Sequence, residues 1–325
     1  MAWECRRYRE KKQTMINQRS IFTWVGEITG QTIEQVRQRA HLMKGVSILS
    51  STVPRQFVDE CHALGLETRY CLHGPAADFD SSGGAAATVN RMRELCDETG
   101  MDGVDLDYEH YAPTYKPAYS DFMRRMADSL HGAGLKMDIC VNYLHLIQDH
   151  GEAAMFQDPR VVNETCDQVR VMCYDMYFAY GRGNKDLVHR GDCYGFGPTA
   201  TIPWARDAMR FWGQFIPAEK LVMGLPAYGN DYNITTFGPG EQIYFPEKDL
   251  PAVPKQEVRL WYEQIPAFHY TDARGHAHIY FGFDGQSTAA LLRVAEELDV
   301  PTISFWTMAS ATPAMWAVAE TWLRK

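Results

Sequence analysis

Strand-like and helix-like segments alternate along this chain until eight strands have been laid down. Short apolar runs at residues 21–26, 45–49, 68–72, 102–109, 136–142, 168–174, 221–225 and 302–306 read as strands. Helical spacing of apolar residues appears at 32–43, 54–64, 85–99, 115–131, 204–215, 286–298 and 311–323. Eight strands interleaved with helices over 325 residues is the count of a (β/α)8 TIM barrel. A doubly wound sheet is the alternative, but no Gly-rich phosphate loop opens any helix. The 46% hydrophobic content is ample for one barrel-sized core.

Two stretches depart from the alternation. Residues 1–18 form a basic N-terminal extension (Arg6, Arg7, Arg9, Lys11, Lys12) with no apolar stretch behind it, unlike a secretory signal. The barrel is expected over 19–325. Residues 228–285, between the seventh strand and its helix, carry Gly, Pro and short alternating aromatic runs. They read as a small β-rich insertion on the C-terminal face, where barrel active sites lie.

Composition narrows the partners. A net charge of −9 speaks against nucleic acid and anionic membranes, and no apolar run is long enough to span a bilayer. The eight Cys contain no C-x-x-C pair, and several fall in strands or helices, which reads as buried thiols in a reducing compartment. The expected location is therefore cytoplasmic, with the sequons at Asn163 and Asn233 coincidental; a lysosomal or secreted location would require a leader. His276 and His278 lack a third ligand at a suitable spacing, and Cys173 lacks a paired His, so neither reads as a metal or nucleophile site.

Residues 102–109 read Asp-Gly-Val-Asp-Leu-Asp-Tyr-Glu. A spacing of two puts Asp105, Asp107 and Glu109 on one face of a strand, with Val104, Leu106 and Tyr108 on the other. With the other flank apolar, the acidic face lines an enclosed cleft rather than open solvent. Three such close carboxylates cannot all ionise cheaply, so at least one pKa is expected to rise. Asp102 reads as structural. Residues at the C-terminal ends of barrel strands face the substrate. Glu109 falls there on strand four, Met172, Tyr174 and Asp175 on strand six, Tyr228 after strand seven and Trp306 on strand eight, with His110 at the rim. A carboxylic acid beside a flat apolar floor suits sugar hydrolysis.

Asp102-Gly-x-Asp105-x-Asp107-x-Glu109 resembles the signature of glycoside hydrolase family 18, the chitinase-like enzymes. Met172-x-Tyr174-Asp175, Met223-Gly-Leu-Pro-Ala-Tyr228-Gly and Trp306 resemble its strand-six, strand-seven and strand-eight motifs. Segments 220–232 and 270–278 look most like the di-N-acetylchitobiase branch. Two departures are Ala227, where an aromatic is common, and the Gly-rich run 81–84, which follows strand three instead of ending it. The resemblance implies retaining, substrate-assisted hydrolysis of an N-acetylglucosamine-containing oligosaccharide, through an oxazolinium ion and without cofactor or metal. It implies Glu109 as acid then base, Asp107 orienting the acetamido N–H, and Asp105 sharing its proton. Tyr174 and Asp175 would hold the acetamido group over Trp306, with Met172 and Tyr228 lining the sugar site, in a monomer. A sugar-binding lectin without activity is the alternative, and so is a hydrolase of peptidoglycan or the N-glycan core.

Overall fold

The computed structural model describes residues 19–177, 197–237, 240–262 and 264–325. The basic extension lies outside the described residues. Eight parallel strands close into a barrel: β1 (Ser20–Val25), β2 (Gly45–Ile48), β3 (Glu67–Leu72), β4 (Gly103–Leu106), β5 (Lys136–Val141), β6 (Gln168–Met172), β7 (Leu221–Pro226) and β13 (Thr302–Trp306). Their order around the barrel is β1-β13-β7-β6-β5-β4-β3-β2.

Helices cover the outside: α1 (Gly30–Arg39), α2 (Arg55–Ala63), α3 (Ser82–Thr99), α4 (Lys116–His131), α5 (His145–His150), α6 (Pro159–Thr165) and α7 (Ile202–Trp212). Their starts are set locally. Thr29 closes a capping box on α1, and Ser81 and Thr201 each accept the third backbone N–H of their helix. The Gly-rich run 81–84 is thus the capped start of α3, not a strand end. The sequence reading passed over α5 and α6, which are six and seven residues long. Neither is long enough to display the periodicity that reveals a helix.

Between β7 and the next helix the chain builds a separate antiparallel sheet. It comprises β8 (Gly229–Asn233), β9 (Glu241–Ile243), β10 (Gln256–Leu260), β11 (Ile265–Thr271) and β12 (Ala277–Phe281), in the order β10-β11-β12-β8-β9, with the short α8 (Pro246–Asp249) between β9 and β10. The chain then returns to the barrel wall through α9 (Gly285–Glu297), held by an Asp284 capping box, and ends in α10 (Pro313–Leu323).

Strand four is shorter than its motif. Its last ladder pair is Leu106 with Ile139, and beyond it only the Asp107 N–H still bonds to Leu72 O, at 2.8 Å. The alternation nonetheless persists through Glu109. Val104, Leu106 and Tyr108 are all buried in the helix-side core. Tyr108 is fixed there by the edge of Phe79 at 5.3 Å and by donating to Asp78 Oδ2 at 2.8 Å. That anchor keeps Asp107 and Glu109 pointing into the barrel without strand pairing. At Gly103 the neighbouring backbone comes so close that a Cβ would sit 2.0 Å from Lys136 O, so only glycine lets β4 and β5 meet.

Candidate active site

The barrel interior beneath the mouth is charged. Asp105 and Arg170 are both fully buried and form an ion pair, Arg170 Nη1 donating to Asp105 Oδ2. Ser47 Oγ donates to the same oxygen at 2.7 Å, and Cys140 Sγ lies 3.6 Å from Oδ1. Arg69 Nε donates to Asp138 Oδ2 at 3.0 Å, and its Nη2 to Glu67 Oε2 at 2.7 Å. The Arg170 guanidinium lies 4.6 Å from the Trp24 ring centre.

Above this layer sits Asp107. Cys71 Sγ approaches its Oδ2 at 3.7 Å, and its Oδ1 is closed from solvent without a hydrogen-bond partner. Burial first, and then the Asp105 charge, push the Asp107 carboxyl up to about 6. The expected raised pKa is thus found on Asp107. The expected proton sharing with Asp105 meets an obstacle, because Asp105 already has a cation and a hydroxyl on its inner oxygen. Asparagine at 105 would leave the Arg170 guanidinium buried without its counter-charge, which is a cost in stability before it is an effect on chemistry.

Glu109 lies one alternation further out, half-exposed, and accepts from Asn142 Nδ2 at 2.9 Å. His110 Nε2 is 3.6 Å from the same carboxylate. His110 itself has φ 61°, a left-handed turn that carries the chain away from the mouth directly after Glu109.

The opposite wall is aromatic. Trp24, Cys71, Cys140, Met172, Tyr174 and Tyr228 form a buried cluster of their own, with Trp306 and Tyr244 packed against it. In the barrel order β13 stands four strands from β4, so Trp306 faces Glu109 across the mouth. The Trp306–Thr307 peptide is cis. Gly224 on β7 makes room for Tyr174, since a Cβ there would lie 3.0 Å from its ring. The Tyr174 hydroxyl is buried without a hydrogen-bond partner, and burial pushes its pKa well up, keeping it a donor. Asp175 Oδ1 accepts from the Tyr228 hydroxyl, and from Gln242 Nε2 at 3.2 Å; Thr199 Oγ1 donates to Tyr228 Oη at 2.9 Å.

The second sheet therefore reaches into the site. Its Tyr244 stacks on Tyr228 at 5.1 Å and accepts the Trp306 indole N–H at 3.2 Å. On the other side of Glu109, a cavity of about 520 Å³ opens between Tyr111, Asn142, Ile147, Met155 and Phe156.

Of the eight site residues expected from sequence, Glu109, Asp107, Met172, Tyr174, Asp175, Tyr228 and Trp306 lie around this mouth, and Asp105 lies buried in the charged layer beneath it. Sequence reasoning missed Arg170, Asn142, Thr199, Gln242 and Tyr244. Arg170 did carry a signal, as a lone charge at an inward position of the buried run Gln-Val-Arg-Val-Met. His276 and His278 lie far along the second sheet. His278 Nδ1 bonds Asp231 Oδ2 at 2.7 Å, and no cluster of three metal-type ligands occurs among the described residues.

Comparison with known proteins gives the family and the fold. The family described as "Glycosyl hydrolases family 18" matches residues 79–309. The cortical fragment-lytic enzyme of Bacillus subtilis (strain 168) is 26% identical over 233 residues, covering 70% of this chain and 51% of that protein. The chain thus spans about half the length of curated relatives such as this one. A chitinase from Chromobacterium violaceum ATCC 12472 shares the fold with a TM-score of 0.79 at 17% identity, covering 94% of this chain and 99% of that one. The spore cortex-lytic enzyme SleL of Bacillus megaterium QM B1551 does so with a TM-score of 0.75 at 17% identity, covering 93% and 73%. By its matched length and its barrel, this chain belongs to glycosyl hydrolases family 18.

Proposed function

We propose that this chain is a retaining glycoside hydrolase that cleaves β-linked N-acetylglucosamine glycans with the help of the substrate's own acetamido group. One observation carries the reading. The mouth holds a buried, unpartnered acceptor, Asp107 Oδ1, and a buried, unpartnered donor, Tyr174 Oη. A secondary amide supplies the complement of both, an N–H for the carboxylate and a carbonyl for the phenol. Leaving both groups unpaired is costly, and a bound acetamido group removes that cost.

The chemistry follows from the placement. A pyranose packs on Trp306 with its acetamido group over Asp107 and Tyr174. Glu109 gives its proton to the glycosidic oxygen as that bond breaks, and the acetamido carbonyl oxygen bonds to the anomeric carbon. Asp107 holds the N–H and balances the positive charge of the oxazolinium. Water, deprotonated by Glu109, then attacks the same carbon, and two inversions restore the β configuration. Asp175 is held by Tyr228 and Gln242 at the edge of the pocket, where it contacts the same amide. Met172 lines the floor.

The cavity beyond Asn142 takes the leaving half. The second sheet, through Tyr244, walls the opposite end, which favours a short substrate of the chito-oligosaccharide or chitobiose type and agrees with the resemblance to the di-N-acetylchitobiase branch. A peptidoglycan strand is the second reading, favoured by the similarity to a protein named as a cortical fragment-lytic enzyme. Glu109 and its Asn142 partner favour an enzyme over a sugar-binding lectin.

The test is to incubate chito-oligosaccharides and muropeptides with the wild type and with Glu109→Gln, following nascent products by NMR. The β anomer is expected first, and the variant should be slower by about 10²–10⁴-fold with binding retained. An initial α anomer, or a variant as fast as the wild type, would overturn the mechanism.

A further inference from the structure

We infer that Arg170 is a positioning residue for catalysis: paired with Asp105 directly beneath Asp107, it offsets the negative field in which the Asp107 carboxylate has to work. The inference rests on the proposed role of Asp107, and its test separates the two.

Arg170 sits at an inward position of β6, 1% exposed, among Phe22, Trp24, Ser47 and Cys140, with Asp105 in contact. A guanidinium is costly there unless it is paired. Its Nη1 meets Asp105, and the Cys140 thiol is a second polar partner. The side chain is therefore held by one carboxylate, one thiol and two aromatic faces, Trp24 at 4.6 Å and Phe22 at 5.7 Å. Packing alone would not call for a charge; what the guanidinium adds is its electrostatic effect on the carboxylates around it.

Those carboxylates are not equivalent. Asp105 receives Arg170 and Ser47, and Cys140 lies against its other oxygen. Asp107 receives only thiols, Cys140 and Cys71, the latter 3.7 Å from Oδ2, and its Oδ1 has no hydrogen-bond partner. The groups facing Asp107 are Cys71 from β3, Asp105 from β4, Cys140 from β5, and Arg170 and Tyr174 from β6 and its end. Those facing Arg170 are Asp105, Asp138 and Cys140. Asp138 is paired with Arg69, yet burial still pushes its carboxyl up to about 6; the Arg170 charge meets Asp105 in direct contact and lowers both Asp138 and Asp107 from a greater distance. Without the guanidinium, Asp107 would face the Asp105 charge uncompensated and would hold its proton to higher pH. With it, Asp107 is released near neutrality, where the acetamido N–H needs an anion.

The experiment is a 13C-NMR titration of aspartate side-chain carboxyls in the free protein, followed by pH profiles of kcat/KM on whichever glycan the wild type cleaves. In Arg170→Lys, which keeps the charge, the Asp107 midpoint should stay near that of the wild type. In Arg170→Met it should rise by about one pH unit or more. Should Arg170→Met fail to fold, the neutral pair Arg170→Met/Asp105→Asn removes both charges at once. There the midpoint should fall below wild type, because Asp105 raises Asp107 more than Arg170 lowers it. The acidic limb of kcat/KM should follow the same order. A midpoint unmoved in Arg170→Met and in the double variant would overturn the inference. A wild type that cleaves no N-acetylglucosamine glycan would instead overturn the proposed function, and the titration would still decide the role of Arg170.

Discussion

Replacing Asp107 by Asn separates what this carboxylate does for catalysis from what it costs the fold. The side chain keeps its shape and loses only its charge. In the proposed transition state Asp107 faces a developing positive charge through one N–H, in a site where Cys71, Cys140 and Tyr174 exclude water. Removing one buried, charge-directed partner of this kind costs about 3–4 kcal/mol, or roughly 10²–10³-fold in kcat/KM. The loss should depend on pH. With its carboxyl at about 6, Asp107 is roughly nine-tenths ionised at pH 7 and one-tenth at pH 5. The gap between wild type and variant should therefore shrink about tenfold between those values, because only the wild type loses activity. Stability should move the other way. A carboxyl whose pKa is raised by folding contributes stability below its ordinary value of 3.8, and that contribution is lost as the pH rises through about 6. Asparagine does not incur that loss, so the free variant should gain about 1–3 kcal/mol at pH 8. Steady-state kinetics from pH 5 to 8 and urea unfolding at pH 8 measure both. A variant that keeps the acidic limb, or that is less stable and otherwise normal, would refute the assignment.

Two further outcomes are expected. Tyr174→Phe removes a hydroxyl that has no partner in the free protein, so thermal unfolding should be unchanged or slightly later, while kcat/KM falls by about 1–2 kcal/mol, roughly tenfold; an earlier unfolding transition with normal kinetics would count against its substrate role. Asp102 accepts from Thr68 N at 2.7 Å, Thr68 Oγ1 at 3.0 Å and His62 Nε2 at 3.0 Å. Burial opposes its ionisation, but the Thr68 N–H and His62 outweigh it and hold the carboxyl below its ordinary range. Its stabilising effect is therefore present above about pH 4 and lost as the pH falls, and Asp102→Asn should cost about 1–2 kcal/mol in unfolding at pH 7 with kcat/KM unchanged.

Much of the barrel was legible in the order of residues, because strand and helix each impose a local period. Eight apolar runs and the helices between them reported the architecture. The two-residue spacing of Asp105, Asp107 and Glu109 reported which side chains share a face. That spacing held even past Leu106, where pairing ends, because Tyr108 is drawn outward into the aromatic core behind β4. The helices α5 and α6 were too short to leave a period. The site's supports were a different matter. Arg170 lies 65 positions from Asp105, Gln242 lies 67 from Asp175, and Asn142 lies 33 from Glu109. Closure of the barrel and the return of the second sheet over its mouth brought them together. Local sequence periodicity fixes the direction in which a side chain points; which charge it meets there depends on contacts made across the barrel. For this protein the sequence alone determined the acidic face and the aromatic wall. The tertiary structure alone decided that Asp105 would meet the Arg170 cation across the barrel, and that Asp107 Oδ1 would be buried without a partner.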